Sequence, residues 1–379
     1  MEHAPIHPPS STLHPRRILV RGVNWLGDAV MTTPALLRLR EKFPAAHITL
    51  LGPDKLAAVW QHHPAVNETI SFAAGESVWA VGQKLRAGKF DLALVLPNSP
   101  RAALEVFLAG IPQRIGYARP WRNFFLTQAI APRAGAVKMR KRSANEIRRL
   151  IAGEKIGHGK LAMGNPQAHQ LHEYLHLVAA LGASPEPCAP QLTVTADEIA
   201  AAQKKFGLEN ISQPIFGLNP GAEYGPAKRW PAEKFIAAAK EIQPPTNCAW
   251  ILFGGKGDLQ LCGRIESEIQ NSKFKIQNLA GQTSLRELMA LLKLCRVVLT
   301  NDTGPMHLAA ALGTPVVVPF GSTSPTLTGP GWPGDPRHQL LLTDAPCAPC
   351  FRRECPVDFR CLNSLAVERV VAAVLAAAR

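Results

Sequence analysis

Three short runs in this chain combine the residue types that chemistry on a charged ligand requires. The first is T-N-D-T-G-P-M-H, residues 300–307, which follows an apolar, β-branched run at 297–300. Asn, Asp, Thr and Gly make the turn, and Asp302 or Thr303 is placed to cap the helix that follows. Pro305 suits the first helical turn, where its missing N–H is no loss. In a parallel strand–helix–strand unit this helix starts at the carboxyl edge of its strand. Free backbone N–H groups and the helix dipole there favour a phosphate, and His307 adds a donor from the first turn.

The second run is G-V-N-W-L-G-D, residues 22–28, a glycine-bounded loop between a short strand and a helix. It falls where a doubly wound sheet presents its ligand edge. It is not G-x-G-x-x-G, so a dinucleotide reading is weak. Asp28 opens the helix, either as a plain cap or as a general base tuned by its surroundings. The third run is N-P-G-A-E-Y-G-P-A-K-R-W-P, residues 219–231. Its Lys228 is either a solvated loop charge or the cation for a diphosphate. Asp258, just past Gly254-Gly255, either caps a turn or accepts hydrogen bonds from ribose hydroxyls.

Strands alternating with helices must position these runs. Strands are expected at 17–21, 47–51, 69–72, 91–96 and 114–117, with helices at 29–42, 56–61, 77–86 and 101–109 between them. This spacing argues for a parallel, doubly wound sheet. The alternation restarts at 215–219 and continues through strands at 249–253, 297–300 and 316–319 and helices at 232–242, 259–270, 284–294 and 306–312. A helix at 172–181, a Pro-rich linker at 184–190 and a helix at 198–206 lie between the halves. The fold class is α/β: two Rossmann-like domains facing across a cleft, spanning 16–190 and 191–362, after a disordered tail at 1–15 and before a C-terminal helix at 363–379.

Composition sets the class of partner. At 379 residues, 46% hydrophobic and 18% charged, the chain can build two ordinary cores. The net charge of +14 points to an anionic partner: nucleic acid, a membrane surface or a phosphorylated ligand. Residues 133–160 hold nine Lys or Arg against two Glu, a net +7, and read as a basic surface insertion in the N-terminal domain. Lys138, Arg140, Lys141 and Arg142 are its candidates for contact with membrane or acceptor charge. It lacks interleaved aromatics to stack bases, so no nucleic acid is expected. Residues 1–15 have no apolar core segment and no apolar run reaches membrane-spanning length, which suggests a cytoplasmic protein. Cys188, Cys248, Cys262 and Cys295 then read as reduced thiols. Cys347, Cys350, Cys355 and Cys361 crowd into a short tail; zinc, an iron–sulfur cluster, a disulfide and free thiols all remain open for them.

The loop G-D-A-V-M-T-T-P-A-L at 27–36, the run at 219–231 and the run at 300–315 together resemble the lipopolysaccharide heptosyltransferases of glycosyltransferase family 9, most nearly the type II enzymes. The likeness covers roughly residues 16–378, with the motifs in the family's order. It implies a GT-B fold, an ADP-L-glycero-D-manno-heptose donor and a lipopolysaccharide inner-core acceptor on lipid A. It further implies inversion at the anomeric carbon, no required cofactor or metal, and work at the cytoplasmic face of the inner membrane. The chain has no Asp-x-Asp pair. Asp28 matches the family's proposed base, and Lys228 its diphosphate-binding lysine. Asp302, Thr303, Gly304 and His307 match the donor motif. Asp258 with Gly254 matches a ribose contact, and Gln282 and Thr283 the adenine side. Asn24 and Trp25 are acceptor-side candidates. The Ala-Glu-Tyr-Gly-Pro-Ala-Lys-Arg-Trp-Pro stretch favours the type II step over types I and III.

Overall fold

In a computed structural model, residues 14–137, 139–154, 165–270 and 275–379 are described. The chain forms two compact units, Met1–Ala136 with Gln170–Thr193, and Val137–His169 with Val194–Arg379. Each carries one six-stranded sheet in which every pairing is parallel.

The first sheet contains β1 (Arg17–Arg21), β2 (His47–Pro53), β3 (Glu68–Phe72), β4 (Leu92–Val95), β5 (Gln113–Tyr117) and β6 (Gln128–Ile130), in the order β3-β2-β1-β4-β5-β6. The second contains β7 (Ile215–Asn219), β8 (Ala249–Leu252), β9 (Ile276–Asn278), β10 (Val297–Thr300), β11 (Val316–Pro319) and β12 (Gln339–Leu341), in the order β12-β11-β10-β7-β8-β9. The central strands are buried on both faces, which is why β1 reads Ile-Leu-Val and β10 Val-Val-Leu without alternation. Both strand orders reverse at a central strand, so each unit opens a crevice at the carboxyl ends of its own strands. β6, β9 and β12 escape a sequence reading because three-residue edge strands carry no measurable period.

Two expectations need correction. The helix anticipated at 29–42 is two helices, Leu26–Met31 and Thr33–Lys42. Pro34 has no N–H to give the carbonyl four residues back. The hydroxyls of Thr32 and Thr33 instead donate to the Ala29 and Val30 carbonyls at 2.7 and 2.8 Å, closing one helix as the next begins.

The basic insertion is also not a bare loop, and only its residues 133–136 belong to the first unit. Val137–His169 groups with the second. Ser143 and Glu146 form a capping box at the start of helix Ala144–Ile151, and Ile147 is buried against Cys347 and Cys350. The Arg142 N–H donates to the Cys350 carbonyl at 3.0 Å, and Arg352 returns a bond to the Arg142 carbonyl. Ile147 and Ile151 form an i,i+4 apolar pair that the surrounding charge hides in the sequence. Arg140 pairs with Glu146 and Arg149 with Glu154, so both carboxylates counted in the net +7 are spent on arginines of the segment itself. Lys138 lies outside the described residues.

Candidate active site

In the second unit, β7 and β10 lie side by side in register, with Asn219 opposite Thr300. The chains leaving them are tied together. Asn219 donates from Nδ2 to Thr300 Oγ1 at 2.9 Å. Buried Asn301 donates to the Pro220 carbonyl at 2.7 Å and accepts the Trp230 N–H at 3.0 Å. One amide side chain thus closes the 219–231 loop over the start of helix Gly304–Ala311.

That closure brings the Lys228 ammonium to 2.7 Å from Asp302 Oδ2, with side chains 15% and 5% exposed. The Thr323 hydroxyl donates to the same oxygen. Neither Asp302 nor Thr303 caps the helix through its side chain, contrary to the sequence reading: Asp302 is engaged by Lys228, and the Thr303 N-cap makes no side-chain bond. Of the first helical positions Pro305 has no N–H and the Met306 N–H donates to the Thr303 carbonyl at 3.1 Å, which leaves the Gly304 N–H for a ligand. His307 is buried in the first turn, and desolvation pushes its pKa down to about 4, the nearby Asp302 carboxylate opposing this and His169 and Lys228 reinforcing it. It is therefore a neutral imidazole at physiological pH and can donate a hydrogen bond without adding charge.

A second layer holds the Lys228 loop. The Tyr224 hydroxyl donates to the Phe351 carbonyl at 2.9 Å, and its ring lies under Lys228 Nζ at 5.0 Å and the Arg353 guanidinium at 5.4 Å. The Ala227 N–H donates to the Arg353 carbonyl at 3.0 Å. Gly225 has φ +146, and a Cβ there would sit 2.6 Å from that carbonyl, so glycine is obligatory. Phe351 and Arg353 belong to the cysteine-rich tail. Its Cys350 and Phe351 N–H groups both donate to the Ser322 carbonyl, linking the tail to the loop that carries Thr323.

Asp258 accepts the Gly255 N–H at 3.1 Å and pairs with Arg229 at 3.3 Å, bracing the residue next to Lys228. A Cβ on Gly221 would collide with its carboxylate. The Gly281 N–H reaches the Gly254 carbonyl at 2.9 Å. The loop carrying Gln282 and Thr283 therefore adjoins Gly254 and Asp258 at the ends of β8 and β9.

Cys347, Cys350 and Cys361 are buried and Cys355 half-buried, all four as free thiols. Burial, with the neighbouring cysteines adding to it, pushes Cys361 up to about 12 and raises Cys347 and Cys350, so these thiols stay protonated. Among the described residues no group of three or more His, Cys, Asp or Glu is arranged to hold a metal ion. What the tail visibly does is brace the Lys228 loop and bury Ile147.

In the first unit, the Asp28 run leaves the carboxyl end of β1. Arg21 anchors it: Nε meets Glu105 at 2.8 Å with both groups buried, and Nη1 donates to the Gly22 carbonyl and to Asn24 Oδ1. Glu105 also takes Arg101 at 3.0 Å. Asn24, an acceptor-side candidate, therefore spends its oxygen on the loop. Trp25 is exposed, with Lys55 Nζ 5.3 Å from its ring. Trp25 is the helix N-cap, and Asp28 stands in the first turn rather than capping by its side chain. Desolvation, with the Asp28 charge adding to it, raises the pKa of buried Tyr174 well above its ordinary value. Sequence reasoning missed Tyr174, which arrives from helix Leu171–Ala179, far along the chain.

Residues 78–144 and 160–359 match the model of glycosyltransferase family 9 (heptosyltransferase). The chain belongs to this family. It is therefore a glycosyltransferase. It is 32% identical to lipopolysaccharide heptosyltransferase 2 of Escherichia coli strain K12, over 83% of this chain and 85% of that one. It is 31% identical to lipooligosaccharide heptosyltransferase 2 of Haemophilus ducreyi, over 83% and 86%. The solved structure of E. coli ADP-heptose lps heptosyltransferase II superposes with a TM-score of 0.73 at 27% identity, covering 96% of this chain and 98% of that one. The two all-parallel sheets are thus those of the GT-B fold. Among the described residues no helix is long and apolar enough to cross a membrane.

Proposed function

We propose that this glycosyltransferase moves L-glycero-D-manno-heptose from ADP-heptose to a heptose-bearing lipopolysaccharide inner core, with inversion. The observation that carries the donor reading is the buried Lys228–Asp302 pair at an uncapped helix start. A diphosphate arriving there meets an ammonium, the Gly304 N–H at the helix start and a neutral His307. As the anomeric bond breaks, Lys228 and the helix start stabilise the charge collecting on ADP. Asp28 takes the proton of the attacking acceptor hydroxyl, and buried Tyr174 helps fix its environment. Asp258, Gly254, Gln282 and Thr283 serve the ribose and adenine side, and Asn24 and Trp25 the acceptor side. The enzyme works peripherally at the cytoplasmic face of the inner membrane, with Arg140, Lys141 and Arg142 adding positive charge.

Likeness to two type 2 relatives supports the acceptor assignment over types I and III. The test supplies purified enzyme and ADP-heptose with inner-core acceptors that either carry or lack the first heptose. Addition of one heptose, read by mass spectrometry, is expected only on the heptosylated acceptor. Transfer only to the acceptor without heptose would move the chain to the type I step.

A further inference from the structure

In the first unit, the chain between β5 and β6 returns across the sheet without a regular helix, as a turn at residues 119–125. The turn is built around one buried side chain. Arg122 is fully buried, donates from Nη1 to the Pro97 carbonyl at 2.7 Å, and packs Nη2 where a Cβ on Gly116 would stand 2.8 Å away. Asn123 Oδ1 accepts the Arg119 N–H at 2.8 Å, and the Phe125 N–H donates to the Arg122 carbonyl at 2.9 Å. Trp121 sits at φ +62, a left-handed conformation that a bulky residue keeps only when its surroundings impose it.

This construction turns the aromatic side chains outward. Trp121 is 90% exposed and Phe124 82%. Phe107, at the end of helix Pro100–Leu108, is 38% exposed, and its ring centroid lies 6.4 Å from Phe124 and 5.5 Å from Phe125. The Arg114 guanidinium lies 5.4 Å from the Phe107 ring, and that of Arg119 5.6 Å from Tyr117. Residues 106–136 contain no Asp or Glu; of their four arginines Arg122 is buried and Arg133 pairs with Glu173 at 3.2 Å, which leaves Arg114 and Arg119 beside the rings.

A rigid turn that holds Trp and Phe in water gains nothing from the fold. Aromatic rings flanked by arginine suit a bilayer interface, where rings settle among headgroups and cations meet anionic lipid. Absence of acid along the segment makes the charge one-sided, which selects an anionic lipid surface over a neutral apolar partner. We propose that the 119–125 turn, with Phe107 and Arg114 beside it, is a membrane-docking surface that inserts Trp121 and Phe124 into the headgroup region of an anionic bilayer. It makes sense of a membrane-borne acceptor, but the binding it predicts requires neither substrate.

The experiment compares wild type with the Trp121→Ser/Phe124→Ser double variant, both surface changes that leave Arg122 in place. Proteins are sedimented with vesicles of phosphatidylcholine alone or with phosphatidylglycerol added. Wild type should bind the anionic vesicles and be released by salt, and the double variant should bind about tenfold more weakly or worse. Vesicles with brominated acyl chains should quench part of the wild-type tryptophan fluorescence, and this part should vanish in Trp121→Ser. Equal sedimentation of both proteins, or no binding by wild type, overturns the proposal. So does a concentration-dependent wild-type dimer that the variant abolishes while vesicle binding is unchanged, which would assign the surface to a second copy. An equal loss of transfer to a short lipid-free acceptor, with vesicle binding retained, would assign it to sugar stacking. Failure of heptosyl transfer with vesicle binding intact would instead count against the proposed function alone.

Discussion

Lys228→Ala separates the phosphate contact proposed for this side chain from its observed pairing with Asp302. For ligand binding, loss of the proposed charge-assisted contact to phosphate, worth about 1.5–3 kcal/mol, should raise the Kd for ADP by about 10- to 150-fold. Adenosine, lacking phosphate, should bind nearly as before. For stability, it strands the Asp302 carboxylate at 5% exposure. Losing one partner of a buried pair costs about 3–5 kcal/mol, and the lower end applies because Lys228 itself keeps 15% exposure. His307 registers the change as well. Lys228 helps hold its pKa down while Asp302 raises it, so the variant's His307 should titrate above its present value of about 4. A protonated His307 would then partly compensate Asp302, and the variant's deficit against wild type should shrink as pH falls toward 5. Calorimetry with ADP and adenosine, and urea unfolding at pH 8 and 5.5, read these effects independently. Adding Asp302→Asn to Lys228→Ala removes the stranded charge. The double variant should regain stability but not ADP affinity. Equal losses for adenosine and ADP would refute the phosphate contact; a stable single variant would refute the buried-pair reasoning.

Asp28→Asn should lower turnover by about 100-fold or more with little change in ADP affinity, measured by steady-state transfer and calorimetry; near-normal turnover would remove Asp28 as base. Glu105→Ala should cost about 3–5 kcal/mol in urea unfolding, because Arg21 is left buried without its carboxylate. His63, His307 and His338 are buried, desolvation being the first cause that lowers each to about 4. Their folded pKa values lie below the unfolded value, so the unfolded chain gains protons first as pH drops. Stability should fall from about pH 6.5 to about pH 4 and then level off as regards these groups, by about 2 kcal/mol per histidine at pH 5. A urea midpoint unchanged between pH 7 and 5 would contradict this.

The parts of the fold that could be read in advance are those in which local chemistry and tertiary role coincide. Val297–Thr300 is buried on both faces and looks so, and the Thr-Asn-Asp-Thr-Gly turn begins a helix as its composition says. The side chain of Asp302 was misjudged because an N-cap is a local expectation, whereas its partner Lys228 comes from a distant loop. Tyr174, Arg21–Glu105 and the Asn301 clamp were illegible for the same reason: each is a contact across a long stretch of chain. In the basic segment, charge dominated the composition and concealed Ile147, whose burial depends on two cysteines far downstream. The outward turn of Trp121 depends on Arg122 and Gly116, and nothing in the residues 119–125 alone reveals it.

The chain passes between the two units three times, after Ala136, His169 and Thr193. The Pro-rich stretch near residue 187 is consequently no place to divide the protein. A fragment beginning there would lack Ile147, which covers Cys347 and Cys350, and His169, whose ring bonds the Gly329 carbonyl at 3.0 Å. A chimaera that exchanges donor halves between relatives must carry residues 137–169 with the C-terminal half. Biosynthesis meets the same constraint. Residues 137–154 leave the ribosome long before the tail that buries Ile147 is made, so this apolar face must wait for nearly the whole chain. The second unit can therefore be completed only at the end of translation, while the first has every strand it needs before the midpoint.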